Sequence, residues 1–125
     1  MTAAAEASIY EAIGGEPALV AVVDDFYGRV LSDAQLAGFF AGANMPKLMG
    51  RQVEFFAAAL GGPDLYQGAS MREVHAGRGI SQADFDRVAV HLTGSLVDAG
   101  VPADLITEIA AAIIPLADDI VSRRL

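Results

Sequence analysis

In the stretch EPALVAVVDDFYGRVL, residues 16 to 31, the side chains of Leu19, Val22, Val23, Phe26, Tyr27 and Val30 recur every three or four positions. That repeat puts them on one stripe of an α-helix, and Pro17 falls in the first turn, where its missing N–H costs nothing. A second helix is expected from near Pro46, with Leu48, Gln52, Phe55, Phe56 and Ala59 facing inward and Gly61, Gly62 and Pro63 stopping it. A third opens on Ser81 with Asp84 in a capping pattern, carries Phe85, Val88, Ala89, Leu92, Leu96 and Val97, and ends at Gly100. The last begins after Pro102 and carries Leu105, Ile109, Ile113, Leu116 and Ile120, with a kink at Pro115. Residues 8 to 13 form a short opening segment broken by Gly14 and Gly15, and Leu36, Phe39 and Phe40 sit in a short turn of their own. No strand alternation, internal repeat or linker interrupts this pattern. Four one-sided helices can bury their stripes only against one another, so the expected fold is all-α, a sandwich of two helix pairs.

At 125 residues and 13.0 kDa the chain reads as one domain, residues 1–125, with 1–7 as a frayed lead-in. Its longest apolar run, AAAIIPLA, is interrupted by Pro115 and falls far short of the roughly 18 residues a membrane span needs. The first residues lack the basic and apolar blocks of a secretory signal, so a soluble, cytoplasmic protein is expected. Eight Lys and Arg against sixteen Asp and Glu give a net charge of −8, which argues against nucleic acid and against anionic lipid. With no cysteine there is no disulfide, no thiolate metal site and no thioether-linked haem.

Residues 64 to 79 have no clear period: Leu65, Tyr66, Met71 and Val74 are scattered among glycines 68, 77 and 79. An irregular segment of this length in a compact domain signals function or disorder, and the apolar residues argue against disorder. His75 lies within it. A zinc site would need three or four ligands, and Glu73 stands two positions away rather than at helical ligand spacing. Haem differs, because the porphyrin supplies four ligands and the protein one axial nitrogen. On the residues alone, a structural or surface histidine is the favoured reading of His75, and a helix-face histidine beside the core is the reading of His91. Tyr27 and Gln52 both fall on apolar stripes. A buried amide without a partner costs about 1–3 kcal/mol, so Gln52 should meet something polar. Taken singly, one is a core aromatic and the other a cap on a neighbouring carbonyl; together they fit two donors converging over a metal-bound ligand.

The runs IYEAIGGEPALVAVVDDFYGRVL, LAGFF, RQVEFFAAALGGP and VHAGRGI resemble the truncated haemoglobins, their first group and most closely its mycobacterial kind. The resemblance extends from about residue 8 to residue 122. It implies a two-over-two helical sandwich in which the proximal segment has shrunk to a loop and a single turn, binding haem b non-covalently with its iron. In that reading His75 is the proximal iron ligand, and Tyr27 and Gln52 are the distal tyrosine and glutamine. Leu48 takes the place where other globins keep a distal histidine. Phe40 packs on the porphyrin, with Phe55, Ile80, Phe85, Val88 and Ile113 as further pocket wall. Arg51 stands where a basic residue pairs with a haem propionate, a solvated arginine being the equal alternative. Phe56 matches a residue proposed to gate an apolar tunnel, with plain core packing as the safer reading. The basic stretch that precedes the first helix in mycobacterial members has no counterpart in MTAAAEA, which implies slower access of gas.

The activity so implied is tight oxygen binding at ferrous iron and conversion of nitric oxide and oxygen to nitrate. Dioxygen and nitric oxide are the ligands, and a reductase restores the ferrous state. An oxygen store, carrier or sensor without turnover is the alternative from the same pocket, and a cofactor-free helical interaction module is the third possibility. Monomer and homodimer both remain open.

Overall fold

The computed structural model describes residues 8–63, 75 and 78–121. Leu65, Tyr66, Met71 and Val74, and glycines 68 and 77, lie outside the described residues. The helices are α1 (Ile9–Ile13), α2 (Gly15–Leu31), α3 (Met45–Ala59), α4 (Gln82–Asp98), α5 (Ala103–Ile113) and α6 (Ala117–Ile120), with 3-10 turns at Ala37–Phe40 and Ile114–Leu116. None of them is long and apolar enough to cross a membrane.

The helix boundaries follow from local chemistry. Ser8 and Glu11 form a reciprocal capping box at the start of α1, and Ser81 and Asp84 form another at the start of α4. Asn44 Oδ1 accepts the Lys47 N–H at 3.2 Å to open α3, with Pro46 in its first turn. Gly14 carries a φ of 116°, ending α1 and letting α2 begin at once. The expected kink at Pro115 takes the form of a change in helix type: α5 closes at Ile113 and continues as 3-10 through Ile114–Leu116. Proline has no N–H for the α ladder, and the tighter turn removes the need for it.

The core is built mainly from the predicted stripes. Every apolar residue of the α2 pattern is buried, as are Phe56, Phe85, Leu92, Leu96, Ile109 and Ile113. Two expectations shift. Ala59 is exposed, while Ala57 and Leu60 take the inner positions, because the row that starts at Gln52 passes through Phe56 to Leu60 at four-residue steps. Val97 is 58% exposed, and the inner face of α4 runs instead through Leu92, Ser95 and Leu96.

Two close approaches set how the helices meet. Tyr10 N–H donates to the Leu60 carbonyl at 2.9 Å, docking α1 on the end of α3. The Tyr10 ring lies so close to Gly62 that a Cβ there would fall 2.5 to 2.8 Å from three ring atoms. Gly62→Ala should therefore force α1 off this seat and lower stability by about 1–3 kcal/mol, the usual range for overpacking. Urea denaturation measures it, and an unchanged midpoint would show that Tyr10 gives way freely. At the other contact, Arg29 on α2 bonds Asp25 Oδ2 through Nε at 2.8 Å and reaches Asp98 at the end of α4. Its guanidinium lies over Gly94, where a Cβ would come 2.5 Å from Nη1.

Candidate functional site

Between α2, α3, α4 and the end of α5 the helices leave a cavity of about 400 Å³, within the range of sites for cofactors and small ligands. Its wall includes every haem-site residue expected from the sequence: Tyr27, Phe40, Leu48, Arg51, Gln52, Phe55, Ile80, Phe85, Val88 and Ile113, with His75. Phe56 lines it too, while remaining a core residue against Phe55, the rings 5.9 Å apart and edge-on.

Each position has a local cause. Tyr27 points inward because it lies on the apolar stripe of α2, where it is 5% exposed. Phe26 and Phe40 stand edge-on to its ring at centroid distances of 4.9 and 5.7 Å, the arrangement that aromatic quadrupoles favour. Among the described residues the Tyr27 hydroxyl has no hydrogen-bond partner. Burial pushes the phenol well above its ordinary value of 10, so it remains a protonated donor throughout the neutral range. Gln52 is half-buried on α3, and its carboxamide likewise has no partner among the described residues. Two polar groups thus stand at an apolar wall without the bonds that such groups normally make in a folded protein. Leu48, one turn before Gln52, fills the neighbouring position with an aliphatic side chain.

His75 has helical backbone and its carbonyl accepts the Arg78 N–H at 3.3 Å. No cluster of three or more His, Asp or Glu side chains suited to a metal ion occurs among the described residues. A lone imidazole in this cavity suits a metal that brings most of its own ligands. Three cations line the cavity as well: the predicted Arg51, and Lys47 and Arg78, which the sequence reading did not single out. The signal was faint but present, since Lys47 is the only lysine of an acidic chain and stands four residues before Arg51 on one helix face. Asp84 also reaches the wall, with its carboxylate Oδ2 bound to the Ser81 N–H at 3.0 Å. Phe39 from the short turn and Leu116 from the last apolar stripe complete parts of the wall, with Asn44, which the sequence did not mark.

His91 is in a different environment from His75. Its Nε2 lies 2.8 Å from Asp33 Oδ2, and it is not part of the cavity wall. On the far side of α4, a groove of about 250 Å³ between α4 and α5 shares Ala89, Leu92 and Ile113 with the main cavity.

These side chains fit a flat, largely apolar, iron-bearing macrocycle with anionic edges. The aromatic and aliphatic wall suits its faces, the cations suit its carboxylates, and the imidazole suits its metal, with an unpartnered phenol and carboxamide left for a further ligand. Comparison with known proteins agrees. The family model for bacterial-like globins matches residues 8–122. A group 1 truncated haemoglobin of Mycolicibacterium paratuberculosis is 59% identical over 114 residues, covering 91% of this chain and 84% of that protein. One from Synechocystis is 43% identical over 108 residues, covering 83% and 87%. Among solved structures, the Fe(III) truncated haemoglobin of Tetrahymena pyriformis superposes with a TM-score of 0.90 at 34% identity, covering 94% of this chain and all of the other. A 2/2 haemoglobin of Synechococcus with covalently attached haem gives 0.87 at 34% identity, with the same coverage. Globins of this family carry haem with its iron, and through it bind oxygen. The chain belongs to the bacterial-like globins, as a group 1 truncated haemoglobin with the two-over-two helical sandwich.

Proposed function

We propose that this globin holds oxygen tightly at ferrous haem and uses it to convert nitric oxide to nitrate, with His75 as the axial ligand and Tyr27 and Gln52 as the donors that retain the gas. The observation that carries the reading is the hydroxyl of the buried Tyr27 side chain, which makes no hydrogen bond among the described residues, on a residue that lines the same cavity as His75. Haem, when bound, supplies reversible oxygen binding at its iron and the oxidation of nitric oxide by that oxygen.

The chain's own residues supply the rest. His75 would hold the haem iron through its imidazole. Tyr27 and Gln52 would donate hydrogen bonds to a gas held in the cavity, each worth about 1.5–3 kcal/mol when well placed. That slows release of oxygen by about ten- to a hundredfold per bond, which suits a protein that keeps one gas until a second arrives better than it suits a carrier. Phe40, Phe55, Phe85, Val88 and Ile113 keep water from the site and favour partition of apolar gases into it. Arg51, joined by Lys47 and Arg78 at the cavity wall, would pair with the haem propionates. The haem is non-covalent: the chain has no cysteine, and His91, its only other histidine, is engaged by Asp33. A reductase from elsewhere in the cytoplasm restores the ferrous state.

The test is a visible spectrum of the purified chain with added hemin, followed by nitrate yield when the oxygen-loaded protein meets nitric oxide. A Soret band with axial histidine character and one nitrate per haem in each cycle are expected. A haem spectrum without nitrate would leave oxygen storage or sensing, and a colourless protein that ignores hemin would overturn the whole reading.

A further inference from the structure

Between Tyr27 on α2 and Phe40 in the 3-10 turn, the chain reverses around Asp33, whose carboxylate is 4% exposed. One of its oxygens shapes the turn. Oδ1 accepts the Gln35 N–H at 2.9 Å, while the Asp33 carbonyl accepts from Leu36 at 3.0 Å and Ala37 at 2.9 Å. The other oxygen fixes where the turn sits, because Oδ2 meets both His91 Nε2, at 2.8 Å, and Arg87 Nε, on α4. An ionised carboxylate is costly to bury unless it is paired and fully hydrogen-bonded, and this one is held well below the ordinary range, to about 2, chiefly by His91 and then by Arg87 and the Gln35 amide. A turn that only had to close would not need a buried charge anchored to another helix.

What the anchor controls is the cavity wall. Leu36 and Phe40 leave the turn to line it, and Phe40 stands edge-on to the Tyr27 ring at an interplanar angle of 84°. On α4, Arg87 and His91 alternate with Val88, Ala89 and Leu92, which line the same cavity. One helix therefore forms part of the wall with one row of side chains and grips the opposite turn with the adjacent row.

We propose that Asp33, gripped by His91 and Arg87, is a positioning residue for the distal wall: it sets the placement of Phe40 against Tyr27 and so the direction of the Tyr27 hydroxyl into the cavity. The inference rests on the reading of Tyr27 as the donor to a gas at haem.

The experiment uses the haem-loaded full chain and carbon monoxide as probe. Its C–O stretching frequency reports the hydrogen-bond field in the cavity, which a loss of stability alone would not move. Asp33→Asn and His91→Ala should each shift or split the C–O band and speed oxygen dissociation about three- to tenfold, whereas His91→Gln, which keeps an N–H donor, should restore most of both. In a Tyr27→Phe background, Asp33→Asn should add little, because coupled positions are not additive. Should Asp33→Asn fail to fold, His91→Ala decides alone, since it retains the carboxylate and Arg87. If Tyr27→Phe alters band and rate while Asp33→Asn and His91→Ala leave both at the parent values, the positioning role is overturned. If Tyr27→Phe itself changes neither, the failure lies with the donor assignment, and this inference falls with it.

Discussion

His75→Gly is expected to yield a protein that folds but does not retain haem: added hemin should give only the broad spectrum of the free compound, with affinity lowered by at least about a hundredfold. The size of the effect follows from what is left behind. Lys47, Arg51 and Arg78 still line the cavity and the aromatic wall still offers apolar contact, but no other side chain there would replace the proposed bond to the metal. The only other histidine, His91, is engaged with Asp33 and lies outside the cavity wall. Free imidazole should fill the space left by the side chain and restore the parent spectrum, which separates a lost ligand from a collapsed fold. An absorption spectrum identical to the parent's would show that His75 is not the ligand.

Tyr27→Phe is expected to speed oxygen dissociation by more than tenfold while leaving the stability of the haem-free protein nearly untouched. The two halves have one cause. The Tyr27 hydroxyl has no protein partner among the described residues, so its removal strands no buried acceptor, and loss of a partner group is what makes such deletions costly. Its bond to a gas, worth about 1.5–3 kcal/mol, corresponds to about ten- to a hundredfold in rate. Because burial holds the phenol in its protonated form far into the alkaline range, the parent rate should show no titration of this group near neutral pH. Stopped-flow displacement of oxygen by carbon monoxide measures the rate, and equality of parent and variant would refute the distal donor.

How much of this was legible in the sequence depended on whether the information was local. The stripe of α2 was complete, because six apolar residues at regular spacing leave one way to face a core. The cap at Ser81 with Asp84 is short-range chemistry and was read, whereas those at Ser8 and Asn44 emerged only in the structure. The inner face of α3 was misplaced at Ala59 because alanine marks a face weakly, and Val97 was misplaced because β-branched bulk at the end of a helix resembles core. His75 carried no pattern of its own, and its assignment came from the resemblance to truncated haemoglobins, not from periodicity. Lys47 and Arg78 were missed since a single cation is ordinarily a solvated one. The bonds of Asp33 to Arg87 and His91 span 54 and 58 residues. They exist only once α2 and α4 have crossed, and no local signal announces them.

That crossing is latched twice, at different depths. The Asp33 carboxylate is 4% exposed although its partner Arg87 keeps 47% of its side-chain surface open, whereas Arg29 and Asp98 keep 33% and 65%. Dissolved ions therefore shield the outer latch more than the inner one. As ionic strength climbs, the carboxyl end of α4 is freed to fray while the half beside the cavity keeps its hold, so this helix pair loosens from one end only.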